Sequence, residues 1–149
     1  MFLSLKRVNI FKSAIIVLIY ITSNAWAFRT QSVGIKGILM CGDSPANNVH
    51  VKLSDKDGGP NQDDLLDSAY TDLGGSFTLS GHSSELSNID PEIQIYHDCL
   101  DFGRPCQREW IIRIPEKYIS SGRTPEKYMD LGILNLEIQL EHEDKECKH

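Results

Sequence analysis

The apolar residues of this chain recur with a period of two, and that limits what it can fold into more than any other feature. Val33, Ile35, Gly37 and Leu39 share one phase. Val49, Val51 and Leu53 alternate with His50, Lys52 and Ser54. Ile93 and Ile95 alternate with Gln94 and Tyr96, and Trp110, Ile112 and Ile114 with Glu109, Ile111 and Arg113. Leu134, Leu136, Ile138 and Leu140 alternate with Asn135, Glu137, Gln139 and Glu141, which predicts the cleanest half-buried strand of the chain. Successive side chains of a strand point to opposite faces, so such runs bury one face each. Turn residues separate them. Gly42-Asp43-Ser44-Pro45 breaks the first run, residues 55–64 form a polar loop, and Asp72-Leu73-Gly74-Gly75 predicts a hairpin between Ala69–Thr71 and Ser76–Leu79. Pro115 to Ile119 fits one helical turn before Gly122. Sustained 3.6-residue periodicity is absent. The expected fold is all-β, an antiparallel sandwich of seven to eight short strands.

The first 27 residues follow another rule. Lys6, Arg7 and Lys12 precede the apolar run Ala14 to Ile21, and Ala25-Trp26-Ala27 supplies small residues at a cleavage site. Eight helical residues span about 12 Å, far short of a bilayer core of about 30 Å. The segment reads as a cleaved export signal (residues 1–27) ahead of one domain (residues 28–149), with no membrane-spanning stretch expected. Removing 27 of 149 residues leaves 122, enough for one modest core. The leader takes three of the 15 basic residues and none of the 21 acidic ones, so the remainder has 12 against 21, a formal charge of −9. So acidic a chain without a basic cluster is ill suited to nucleic acid, where phosphate contacts dominate affinity.

Cys41, Cys99, Cys106 and Cys147 all lie beyond the leader, and an even count in a small exported domain points to disulfides. Four cysteines allow three connectivities. Strand phase favours one. Cys99 is in phase with Ile93 and Ile95, Cys106 with Trp110 and Ile112, and a bridge across their connecting loop is sterically natural. Cys41 and Cys147 would then pair. No N-x-Ser/Thr acceptor occurs.

Catalytic signals are thin. His97-Asp98-Cys99 suggests a nucleophilic pair, but a bridged cysteine offers no thiolate. The same objection weakens a zinc set of His97, Cys99 and Cys106. Asp55, Asp57, Asp63, Asp64 and Asp67 are rich in oxygen, yet lack EF-hand spacing and read as a solvated loop. Gly74-Gly75-Ser76 lies between strands and opens no helix, so it is no phosphate loop. No catalytic residue, cofactor or metal is assigned. Tyr96, Glu109, Ile111 and Arg113 lie in the outward phase and could form a recognition face, with Ile111 the odd apolar member.

Taken in order, the motifs resemble a known family. They are Gly34-Ile35-Lys36-Gly37, Leu39-Met40-Cys41-Gly42, Pro45-Ala46-x-x-Val49-x-Val51-x-Leu53, Asp63-Asp64-Leu65-Leu66 and Thr71-Asp72-x-x-Gly75-x-Phe77-x-Leu79-x-Gly81. Asp90-Pro91, Tyr96-His97-Asp98-Cys99, Pro105-Cys106-Gln107-Arg108, Ile114-Pro115-x-Lys117-Tyr118-Ile119 and Leu131-Gly132-x-Leu134-Asn135-Leu136 complete the set. From about Ser32 to Cys147 the chain resembles the nematode transthyretin-like family. The resemblance implies a secreted, disulfide-bonded, prealbumin-like sandwich with an extracellular binding role, including bridging of a cell-surface lipid to a receptor. It brings no shared catalytic residues. The related hydroxyisourate hydrolases carry a C-terminal Tyr-Arg-Gly-Ser, where this chain reads Glu143-Asp144-Lys145-Glu146-Cys147-Lys148-His149. The expected function is a secreted non-enzymatic module contacting a protein or lipid surface, with a carrier of a small hydrophobic ligand as the alternative. The sequence leaves oligomeric state and partner open.

Overall fold

A computed structural model of the chain describes residues 28–56, 63–141 and 143–147. The expected export signal, residues 1–27, lies outside them, as does Asp57 of the acidic loop. The described residues form β1 (Arg29–Cys41), β2 (Ser44–Pro45), β3 (His50–Asp55), β4 (Asp64–Tyr70), β5 (Ser76–Glu85), β6 (Pro91–His97), β7 (Gln107–Arg113), β8 (Ser120–Ser121), β9 (Tyr128–Asn135) and β10 (Asp144–Glu146). One 3-10 turn, Glu116–Tyr118, occupies the place where a helical turn is expected.

The strands stack as two five-stranded sheets. In the first, β1 lies between antiparallel β5 and, on its other side, antiparallel β8 and then β9, while β2 pairs with its last residues. The β1–β9 pairing is parallel, a departure from an all-antiparallel sandwich. The second sheet runs β10-β7-β6-β3-β4, antiparallel throughout. Alternation does what the sequence leads one to expect. Val33, Ile35 and Leu39 from β1 and Phe77 and Leu79 from β5 meet Val51, Leu53, Ile93, Ile95 and Trp110 across the sandwich, all 5% exposed or less.

Three expectations need correcting. The turn at Asp72 forms as read, its Oδ1 accepting the Gly74 and Ser76 N–H groups at 2.8 Å each. It does not close a hairpin, because β4 pairs with β3 in one sheet and β5 with β1 in the other. Thr71 fixes the crossover, its hydroxyl donating to Ala46 O and accepting from Val49 N.

The strand expected over Leu134–Leu140 ends at Asn135. Asn135 Oδ1 accepts from Gly42 N and Glu137 N, 3.1 Å each, and this local turn outcompetes the ladder. Leu136 plugs the core at 0% exposure, whereas Ile138 and Leu140 face solvent.

The disulfides join Cys41 to Cys99 and Cys106 to Cys147, not Cys99 to Cys106 and Cys41 to Cys147. The β6–β7 register, extended, would set Cys99 opposite Cys106, but pairing stops at His97–Arg108. Cys99 then turns inward, 8% exposed, toward the end of β1 in the opposite sheet. Cys106 lies one step beyond the Gln107–Glu146 pair of β7 and β10, which puts Cys147 across from it.

Candidate functional site at the disulfide-clamped end

Both disulfides converge on the loop between β6 and β7. Its first root, Cys99, is bonded to the far sheet and its second, Cys106, to Cys147 just after β10. Inside the loop Asp101 N donates to Asp98 O at 3.2 Å and Gly103 N to Asp101 Oδ1 at 2.8 Å. Leu100 (φ 54°) and Phe102 (φ 60°) occupy the left-handed region, which bulky residues rarely adopt. The outcome is a stapled protrusion with Phe102 86% and Leu100 46% exposed. With Leu140, Arg104 and Gln139 they border an open cleft of about 230 Å³.

Arg108 lies beneath, 7% exposed. Its guanidinium donates to Cys99 O (2.6 Å), Leu136 O (2.9 Å) and Ile138 O (2.8 Å), and forms a two-pronged ion pair with Glu143. Trp110 Nε1 also donates to Glu143, at 3.3 Å. One cation thus gathers the loop root, the chain after β9 and the approach to β10. Hydrogen bonding from Arg108 holds the Glu143 carboxyl below the usual carboxylate range. Arg104 and Lys145 line the cleft together with Asp101, so the apolar tip is flanked by charges of both signs.

His97 points inward, 2% exposed, with its ring edge-on to Trp110 at 5.4 Å. Burial, reinforced by Arg108, lowers its pKa to about 4. Its Nδ1 accepts from Cys99 N, so the proton of the neutral ring sits on Nε2. The suggestive His97-Asp98-Cys99 run is therefore a strand end packed beside a disulfide. Cys99 and Cys106 have separate partners, and neither keeps a thiol to attack a substrate or bind zinc. Of the acidic loop, Asp55 is buried and accepts from Asp90 N, while Asp67 accepts from Ser68 N and Ser80 N. These carboxylates serve the main chain at separate places, and no group of three potential metal ligands occurs among the described residues.

The expected recognition face comes together only in part. Arg113 is exposed and Ile111 is 40% exposed, paired across strands with Gln94. Tyr96 is 6% exposed, covered by Lys52, whose Nζ lies 4.6 Å from the ring centre. Burial and the neighbouring Glu109 push the Tyr96 hydroxyl pKa up, and burial raises Glu109 as well. Sequence reasoning missed Phe102 and Arg108. The available signal was an aromatic residue flanked by glycine between two cysteines, which marks an exposed tip on a tethered loop.

The transthyretin-like family matches residues 36–115. Transthyretin-like protein 33 of Caenorhabditis elegans is 49% identical over 123 residues, covering 83% of this chain and 86% of that one. Transthyretin-like protein 46 of the same organism is 44% identical, covering 88% of this chain and 74% of its own. Transthyretin-like protein 5, also from C. elegans, is 41% identical, covering 91% and 99%.

Proposed function

This chain belongs to the transthyretin-like family, and from that premise we propose that it is a secreted, non-enzymatic binding module that meets a protein or lipid cell surface through its disulfide-clamped loop. One observation carries the reading. Phe102 stands 86% exposed at the tip of a loop whose two roots are both covalently fixed. An exposed aromatic costs solubility and adds nothing to the core, but makes an anchor when a partner supplies a pocket. Fixing the loop beforehand removes most of the ordering cost of binding.

Export fits the same picture, with residues 1–27 as the cleaved leader and an oxidising compartment for the cysteines. Catalysis has little to work with, since the cysteine sulfurs are bonded and His97 is buried. The carrier reading has less support. Val33, Ile35, Leu39, Leu53, Ile93 and Ile95 fill the space between the sheets.

The test is saturable binding of the secreted, oxidised protein to intact cells, and to neutral and anionic vesicles. Phe102→Ser is expected to weaken binding at least about tenfold while leaving the melting temperature in place. Undiminished binding by Phe102→Ser, or a secreted product whose N-terminus is not Phe28, would count against the respective part of the proposal.

A further inference from the structure

The outward face of the second sheet carries a row of rings that the clamped loop does not use. Tyr70 of β4, His50 of β3 and Tyr96 of β6 are directly opposite one another in the ladders. His50 stacks on Tyr70 at 4.6 Å with a 14° interplanar angle, and tilts against Tyr96 at 5.7 Å. Tyr70 remains 60% exposed despite that stack. Beside the rings lies a cleft of about 430 Å³ whose walls include Asn48, Lys52, Asp98 and Gln107. Gln107 Nε2 donates to Asp98 Oδ2 at 2.9 Å, so an amide and a carboxylate are already fixed side by side.

We infer that this cleft is a binding site for a neutral saccharide. A sugar ring has an apolar C–H face and a rim of hydroxyls that both donate and accept. Tyr70, one face of which is taken by His50, supplies the exposed apolar ring surface that borders the cleft. Asn48 and Gln107 offer both donor and acceptor atoms, Lys52 donates and Asp98 accepts. Charge argues against an anionic ligand. An anion would meet Lys52 but also Asp98 and Glu146. An apolar ligand would bury the polar walls without partners. Few polar groups converging beside an aromatic platform is the general form of a small-molecule site. Asp98 also begins the clamped loop, so the cleft adjoins it, yet the two surfaces rest on different residues.

Chitotriose, maltotriose and lactose are the probes, with sialyllactose as an anionic comparison. Saturation-transfer NMR and calorimetry on the secreted, oxidised protein should show saturable binding of at least one neutral probe. Tyr70→Ala should weaken that binding about tenfold or more, Tyr70→Phe by no more than about threefold, and Phe102→Ser not at all. Tyr70 is exposed, so the Tyr70→Ala protein should melt as the parent does, which separates lost binding from lost fold. The inference is overturned if no neutral probe saturates, if Tyr70→Ala binds as the parent does, or if only sialyllactose binds.

Discussion

Replacing Arg108 by Met keeps an unbranched stem of similar reach and removes every donor the guanidinium supplies. Three main-chain carbonyls, of Cys99, Leu136 and Ile138, lose a charged partner. Glu143 is left with Trp110 Nε1–H among its side-chain donors, in a position where its side chain is 14% exposed. Removing one member of a buried ion pair costs about 3–5 kcal/mol, mostly because the other charge is stranded. Glu143 keeps some contact with water, so we expect the lower end, about 3 kcal/mol. The assay is equilibrium unfolding in urea with the disulfides intact, followed by the fluorescence of Trp110, the one tryptophan after residue 27. Arg108→Met combined with Glu143→Leu removes the stranded charge and should regain about 1–2 kcal/mol of the loss.

Acid titration supplies an independent arm. The folded Glu143 carboxyl lies below its ordinary value. Its contribution is therefore full above the unfolded pKa of about 4.3 and is lost as pH falls through the lower folded value. Arg108→Met should flatten that limb. A loss under about 1 kcal/mol, or a double variant less stable than Arg108→Met alone, would refute the reasoning.

Two further outcomes follow from the core. His97 titrates near 4 when folded and near 6.5 when unfolded, so the unfolded chain binds more protons between those values. Stability should be full above about pH 6.5 and fall by up to about 3 kcal/mol as pH drops to about 4. His97→Asn, which retains an acceptor for Cys99 N, should abolish the slope in that window while leaving the more acidic limb of Glu143. At Gly75 (φ +76°) an added Cβ would lie 2.2 Å from Leu39 O, the carbonyl that accepts from Ala46 N. Gly75→Ala should cost more than about 2 kcal/mol in denaturant unfolding, whereas Gly103→Ala, at φ +74° with nothing within 4 Å, should cost about 1 kcal/mol. Equal losses at the two positions would show that contact with the Leu39 carbonyl does not matter.

Local pattern was legible where one face is core and the other water. Val33 to Leu39, Val49 to Leu53, Ile93 to Ile95 and Trp110 to Ile114 all take the orientation their alternation implies. Alternation misled after Asn135, where a side-chain oxygen capped the turn and left Ile138 and Leu140 outside. The turn at Asp72 was readable, but its destination was not, because turn chemistry specifies a bend and leaves open which sheet receives the next strand. The cysteines failed for a related reason. Phase correctly sent Cys99 inward, but its partner arrives from the other sheet, and β10 (Asp144–Glu146) is too short and polar to announce itself as the strand that leads into Cys147. Arg108 and Glu143 stand 35 positions apart, a pairing that only the tertiary fold creates.

The connectivity of the cysteines also bears on how the molecule is made. The two bonds run in chain order, first with second and third with fourth, so neither encloses the other. In a chain threaded out from its N-terminus, Cys41 and Cys99 emerge before Cys106 and Cys147. When each newcomer pairs with the thiol already waiting, the native pattern results without any exchange of partners. Cys41–Cys99 can close as soon as the strands through β6 have emerged, joining the two sheets at one end. The clamped loop is then the seam between two stages of assembly: its first root is fixed in the earlier one, and its second when the last residues arrive.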